Sequence, residues 1–228
     1  MSREPRARRQ PYSVDVVALT PRDDELAVLL ERRGDGAGRD KSVRWVIPWT
    51  VSKSGEGLTE LSQRALRNST GAATTWTTQV GAFSDGPHPG GSELSILYVA
   101  LVPMGQATVS SENFEWFRLS DLPALTERQS QMLQVSVAAV RDRLDLYPVA
   151  FKLLPATFTL SELQHIYELL LGRRLHKASF RRALAAAALV EPTDEWRSEG
   201  RGRPAQLYSL GTRKRRRGKR GVRFDLLG

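Results

Sequence analysis

At Tyr147-Pro148 a long helical pattern stops, and the chain differs on either side of that point in both periodicity and charge. A proline ring disfavours helical backbone in the residue before it. The helix readable over residues 127–146 therefore ends there, and a join between two units is expected over residues 147–155. Upstream, apolar runs at 13–20, 26–32, 43–48, 79–83, 94–102 and 114–119 read as strands. Turn-forming clusters part them, among them Pro-Arg-Asp-Asp at 21–24 and the Gly/Pro-rich segment 84–91. Residues 57–69 break the pattern, because Leu58, Leu61, Ala65 and Leu66 recur at helical spacing. A mixed helix-and-strand unit is expected over residues 13–147, preceded by a short basic N-terminus at 1–12.

Charge divides the chain at the same place. Residues 1–150 hold 17 basic and 18 acidic side chains and residues 151–228 hold 17 and 7, so the C-terminal part carries the whole formal excess of +9. Such asymmetry points to a polyanion bound by the C-terminal third, with DNA, RNA and an anionic membrane all compatible with charge alone. At 228 residues and 40% hydrophobic content the chain has material for two modest cores. It has no cysteine, which excludes disulfides, thiol chemistry and cysteine zinc sites and fits a reduced compartment. The N-terminal arginines lead into no apolar stretch, and no uninterrupted apolar run reaches the ~18 residues of a membrane span, so secretory and transmembrane readings fail.

The basic part has its own pattern. Thr159 and Glu162 have the spacing of a capping box, in which each side chain satisfies a free amide at a helix start. Leu160, Leu163, Ile166, Tyr167 and Leu170 then make one apolar face, and Gly172 marks a stop. Arg173-Arg174-Leu175 leads to a second helix at 177–188, with Phe180, Ala183, Leu184 and Ala187 on its core side. Ala178, Arg181, Arg182 and Ala185 point the other way. Arginine pairs bidentately with guanine O6 and N7, and small alanines allow a helix to approach base edges closely. Lys177 and Ser179, near the helix start, suit phosphate contacts, and Arg173 and Arg174 ahead of it are further candidate DNA-binding residues. Short strands at 189–190 and 206–210 flank Glu199-Gly-Arg-Gly-Arg-Pro204, a hairpin whose Arg201 and Arg203 suit an adjacent minor groove. Helix, turn, basic helix and wing in that order specify a winged helix-turn-helix over 148–212. Beyond it, residues 213–228 form a basic tail suited to sequence-independent phosphate attraction.

Residues 50–72 (TVSKSGEGLTELSQRALRNSTGA) resemble the Nudix box, G-x5-E-x7-R-E-U-x-E-E-x-G-U. Glu56, Arg64, Leu66, Gly71 and Ala72 fit it; Thr50 stands where the first glycine belongs, and Ala65, Asn68 and Ser69 stand where the family has glutamates. On one helix face those glutamates hold hard divalent ions, which activate water against a pyrophosphate. Their absence predicts a chain that is no enzyme, with no catalytic residue, metal or cofactor. The resemblance implies a Nudix-like α/β/α sandwich, giving an α+β chain with the winged helix-turn-helix behind it.

Together with FTLSELQ, the basic helix and GRGRPAQLY, the chain resembles the bacterial Nudix-related transcriptional regulators of NAD metabolism. That resemblance implies a homodimeric repressor of NAD biosynthesis or salvage genes on a palindromic duplex operator, in the cytoplasm at the nucleoid. It also implies an effector domain for ADP-ribose or a related nucleotide, with Glu56 and Arg64 as candidate effector-binding residues. Trp49-Thr50 replaces the family's glycine pair beside the pocket. The rival reading is a Nudix-type ADP-ribose or nucleotide pyrophosphatase with a nucleic-acid-binding appendage. An RNA-binding module lacks the expected aromatic pattern, and membrane adsorption lacks an apolar partner face.

Overall fold

The computed structural model describes residues 12–34, 43–52, 55–71, 76–145, 147–198 and 204–211. A seven-stranded mixed sheet carries the N-terminal domain. Its strands are β1 (Tyr12–Arg22), β2 (Glu25–Gly34), β3 (Val43–Val46), β4 (Trp49–Val51), β5 (Trp76–Phe83), β6 (Leu94–Leu101) and β7 (Phe114–Arg118), with helices α1 (Leu58–Thr70) and α2 (Glu127–Arg143). The order is β3-β2-β1-β6-β5, with β4 added to β1 and β7 to β2. Among the described strands, β1 and β6 run parallel and the other pairs antiparallel. β1 and β2 pair next to their turn and then part, so that β1 takes β4 while β2 takes β7 and β3.

Alternation along β1 decides the layering. Val14, Val16 and Ala18 face one way, into a cluster with Leu61, Ala65 and Leu66 of α1. Val17 and Leu19 face the other way, with Met132, Leu133 and Val140 of α2. Successive side chains of a strand point to opposite faces, so one apolar strand serves both layers of an α/β/α sandwich. Asp23 and Asp24, at φ 47° and 63°, form the two-residue turn between β1 and β2. Two left-handed central residues match the strand twist, and aspartate tolerates that conformation better than most residues.

α2 ends at Arg143, short of the expected residue 146. Its last turn tightens, with Leu144 N–H donating to the Arg141 carbonyl at 3.0 Å, and a 3-10 turn (Val149–Leu153) follows Pro148. Then come α3 (Leu160–Leu171), α4 (Lys177–Ala187), β8 (Val190–Arg197) and β9 (Ala205–Leu210). The expected capping box is present: Glu162 N–H donates to Thr159 Oγ1 at 3.1 Å, and Thr159 N–H to Glu162 Oε2 at 2.7 Å. Gly172 takes φ 72° and closes α3 onto the Glu168 carbonyl. β8 runs well past the short strand expected at 189–190. An irregularity between Pro192 and Trp196 absorbs the extra residues and accommodates the proline.

The α2-side core continues into the C-terminal domain through Leu144, Phe151, Phe158, Ile166 and Tyr167. Tyr167 and Phe180 meet edge to face at 5.4 Å, locking α3 to α4. Burial of a side chain of that size stabilises by about 1.5–3 kcal/mol. The two domains are therefore packed against each other. Among the described residues, no helix is long and apolar enough to cross a membrane.

Candidate nucleic-acid interface

α4 buries Phe180 and Leu184 and turns Lys177, Ala178, Arg181, Arg182 and Ala185 to solvent, as its apolar spacing requires. Ser179 is half-buried, with its hydroxyl 3.5 Å from Arg182 Nη2 and 3.3 Å from His176 Nδ1. The outward strip is thus two guanidinium groups set among methyls. Nothing on α4 is acidic.

The approach of α3 to α4 is set by a residue that spacing did not single out. Glu168 is buried, and its Oε1 accepts from Leu175 N–H and from Gln164 Nε2, both at 2.9 Å, while Oε2 accepts from Arg174 Nη1 at 3.0 Å. Burial pushes this carboxyl up, but the Leu175 amide, Gln164 and Arg174 outweigh that and hold it below the ordinary carboxylate range. Arg174 keeps 87% of its side chain exposed, so the remaining guanidinium donors face solvent. Arg173 lines the adjacent interdomain cleft. At the other end, Arg197 Nη1 donates to Glu162 Oε1 at 2.6 Å and ties the stem of the β8–β9 hairpin to the start of α3. Phe158 and Tyr208 exchange backbone bonds beside it. Arg201 and Arg203, expected at the hairpin tip, and the basic tail lie outside the described residues.

In the Nudix-like domain, Glu56 and Arg64 meet each other. Arg64 donates from Nε and Nη2 to the two Glu56 oxygens at 2.7 and 2.8 Å, from Nη1 to Thr50 Oγ1 at 2.8 Å, and again from Nη2 to the Val51 carbonyl at 2.8 Å. Four of the five donor hydrogens of the guanidinium are thus spent on clasping the loop before α1 to the helix. Of the three positions that carry glutamates in the box pattern, two are turned into the protein. Ala65 packs in the core, and the Ser69 hydroxyl is buried on the Ala65 and Leu66 carbonyls, both at 3.0 Å. Asn68 alone is exposed. A methyl, a spent hydroxyl and an amide do not fit a hard divalent ion. Among the described residues, no group of three or more His, Asp or Glu could hold one.

A second polar cluster links residues far apart in sequence. Arg128 is buried and donates to the Phe83, Asp85 and Gly86 carbonyls and, at 2.7 Å, to Ser95 Oγ. Ser95 Oγ lies 3.2 Å from Ser13 Oγ, which donates to Asp15 Oδ2 at 2.7 Å. Gly90 N–H donates to His88 Nδ1, leaving the proton on Nε2 to reach Asp15 Oδ1 at 3.0 Å. An arginine only donates and a carboxylate only accepts, so every hydroxyl in the relay has one consistent direction. The buried charges of Arg128 and Asp15 balance through two serines, and the Gly/Pro-rich loop is fixed from inside. Trp49 sits over it, its ring 4.8 Å from His88 and 4.4 Å from the Arg33 guanidinium. A side chain at Gly90 would overlap that ring.

Residues 150–210 match the family described as the NrtR DNA-binding winged helix domain. The chain is 29% identical over 204 residues to an ADPR responsive transcriptional repressor NtrR of Acinetobacter baylyi, covering 86% of this chain and 80% of that one. The crystal structure of Shewanella oneidensis NrtR complexed with a 27mer DNA superposes with a TM-score of 0.73 at 29% identity, over 88% of this chain and 94% of that one. A MutT/nudix family protein from Enterococcus faecalis shares the fold, at TM-score 0.66 and 19% identity over 92% and 89% of the two chains. With its Nudix-like sandwich followed by a winged helix of the NrtR type, the chain is similar over most of its length to the Nudix-related transcriptional regulators.

Proposed function

We propose that this chain is a DNA-binding transcriptional repressor of NAD biosynthesis or salvage genes, whose Nudix-like domain senses ADP-ribose or a related nucleotide without hydrolysing it. The observation that carries the reading is α4: two outward arginines among alanines on a helix held rigidly against α3. Similarity over most of the chain to an ADPR responsive repressor and to a regulator complexed with DNA supports it. Residues 13–147 act as the sensor and 148–212 as the reader. Arg181 and Arg182 read bases, Arg173, Arg174, Lys177 and Ser179 hold phosphates, and Arg201 and Arg203 enter a narrow minor groove. The tail at 213–228 supplies further counter-charge to phosphates. Its deletion weakens operator and random DNA alike and makes the salt slope shallower by ~0.9 for each phosphate it had neutralised.

Two copies bind an inverted repeat, with recognition helices about 34 Å apart or a multiple of it. Such a repressor works in the bacterial cytoplasm, at the nucleoid. Glu56 and Arg64 serve the effector by fixing the loop before α1, because their polar atoms are engaged with each other. The donor set at Ala65, Asn68 and Ser69 supports the absence of metal-dependent hydrolysis. Genome-wide footprinting of bound DNA, repeated with ADP-ribose and with NAD, tests the reading. Two-fold symmetric sites beside NAD genes, lost with ADP-ribose, are expected; footprints without sequence preference would sink it.

A further inference from the structure

A cleft of about 380 Å³ lies between the two domains, walled by the β1–β2 turn, α2 and α3, and it opens beside Arg173 and Arg174. Among the polar contacts that cross it are two to α3. Arg141, on the last turn of α2, donates from Nε to the Leu170 carbonyl at 2.8 Å. That carbonyl is among the last four of α3, which the helix itself leaves without a partner. A cation there also suits the negative end of the helix dipole. The same guanidinium lies against Gly172, where a Cβ would stand 2.9 Å from Nη2, so the glycine at the helix stop admits the arginine as well as the φ of 72°. The second contact joins Asp24, at the tip of the β1–β2 turn, to His165 Nε2 of α3 at 3.2 Å.

Both contacts are made by the Nudix-like domain, and both grip the helix that carries Glu168. Glu168 in turn holds the amide of Leu175, just ahead of α4. The path from α2 to the reading helix is therefore short: Arg141, the end of α3, the Glu168-bound turn, then α4. Without a grip at the carbonyl end of α3, the end of that helix nearest α4 loses a directional tie to the sensor, and the apolar packing around it is not directional.

We propose that Arg141 is a positioning residue for operator reading: it fixes the angle at which the Nudix-like domain presents α4, with the Asp24–His165 contact as its auxiliary. This rests on the repressor reading given above. A palindromic operator demands both recognition helices at a set separation and tilt, whereas random duplex is bound by charge in many orientations. Loss of the grip therefore costs specific binding and spares non-specific binding.

The test is an anisotropy titration of the full chain onto an inverted-repeat operator and a scrambled duplex, with thermal melting alongside. Arg141→Met is expected to weaken operator binding about tenfold while scrambled binding stays within about twofold. Arg141→Lys keeps a donor for the Leu170 carbonyl and should recover most of the loss. Asp24→Asn, at a 90% exposed side chain, is expected to lower operator affinity about twofold with the melting temperature unchanged. Wild-type operator affinity in Arg141→Met, or an equal loss on both duplexes, overturns the proposal. If Arg141→Met melts far below the wild type, Asp24→Asn decides, and unchanged operator affinity there overturns it. A wild type that does not distinguish the two duplexes refutes the repressor reading itself, and is recognisable as that separate failure.

Discussion

Arg64 on α1 turns four hydrogen bonds inward, onto Glu56, Thr50 and the Val51 carbonyl, whereas Arg181 and Arg182 on α4 project into solvent. Both helices follow a turn and bury one apolar face, so the difference lies in what surrounds the guanidinium. On α1 the loop before the helix folds back and engages the cation. On α4 the neighbours are mostly methyl groups, and guanidinium donors are left for a ligand. An arginine with most of its donors engaged holds a scaffold together, and one exposed among alanines has donors to offer to a base, as the proposed function requires. The contrast fits the different work proposed for the two domains, with the charge on α1 turned inward and the charge on α4 turned outward.

The largest effect should come from a second inward arginine. Arg128→Met removes bonds to three carbonyls and Ser95 and leaves Asp15 without its balancing charge, so unfolding in urea should be easier by about 3–5 kcal/mol. A change under about 1 kcal/mol would show that the relay is incidental. On the outward side, Arg181→Ala or Arg182→Ala should cost about 1–3 kcal/mol on the operator, and much less on scrambled duplex. Equal losses on both would make α4 a phosphate clamp instead of a reader, and would break the contrast. Glu56→Gln should lower stability by about 1–2 kcal/mol, since a fifth of each partner is open to water and screening trims the pair. Magnesium-dependent cleavage of ADP-ribose by the wild type, abolished in that variant, would restore Glu56 to a catalytic role.

The smallest effect concerns pH. Glu168 and Glu162 are both held below the ordinary carboxylate range despite the opposing effect of burial: Glu168 by Leu175, Gln164 and Arg174, and Glu162 by Thr159 and Arg197. A depressed folded value means that the unfolded chain takes up the proton first as pH falls. Their contribution is whole above about pH 4.5 and is lost below it, as pH falls through the folded values. Melting of the wild type and of Glu168→Gln across pH 3–6 should show the variant less sensitive to acid. Identical slopes would remove the carboxylate from the turn's stability.

Much of this organisation is legible in the residues. Apolar runs locate six of the seven sheet strands, and the Thr159–Glu162 capping box marks the start of α3 because both partners lie within one helical turn. The three-residue strand β4 is too short to show a period. Pro192, Asp194 and Glu195 disguise β8, since none favours a strand; only the pairing of Pro192 and Trp196 with β9, on either side of the irregularity, carries the strand through them. The Arg128–Ser95–Ser13–Asp15–His88 relay is invisible for a different reason: it joins loop, strands and helix across long sequence separations, and no spacing rule reaches that far. The engagement of Glu56 with Arg64 is hidden too, because a motif gives residue types and not the direction in which they point.

A sensor that binds its nucleotide without cleaving it, joined to a reader that prefers an operator, can be tested in one measurement on the wild-type chain. The protein is bound to a labelled inverted-repeat operator in magnesium and titrated with ADP-ribose, and the nucleotide is recovered afterwards. Release of the operator with the ADP-ribose recovered intact is the predicted result. Conversion of the nucleotide to AMP and ribose 5-phosphate, or a protein that binds scrambled duplex as tightly as the operator, would contradict it.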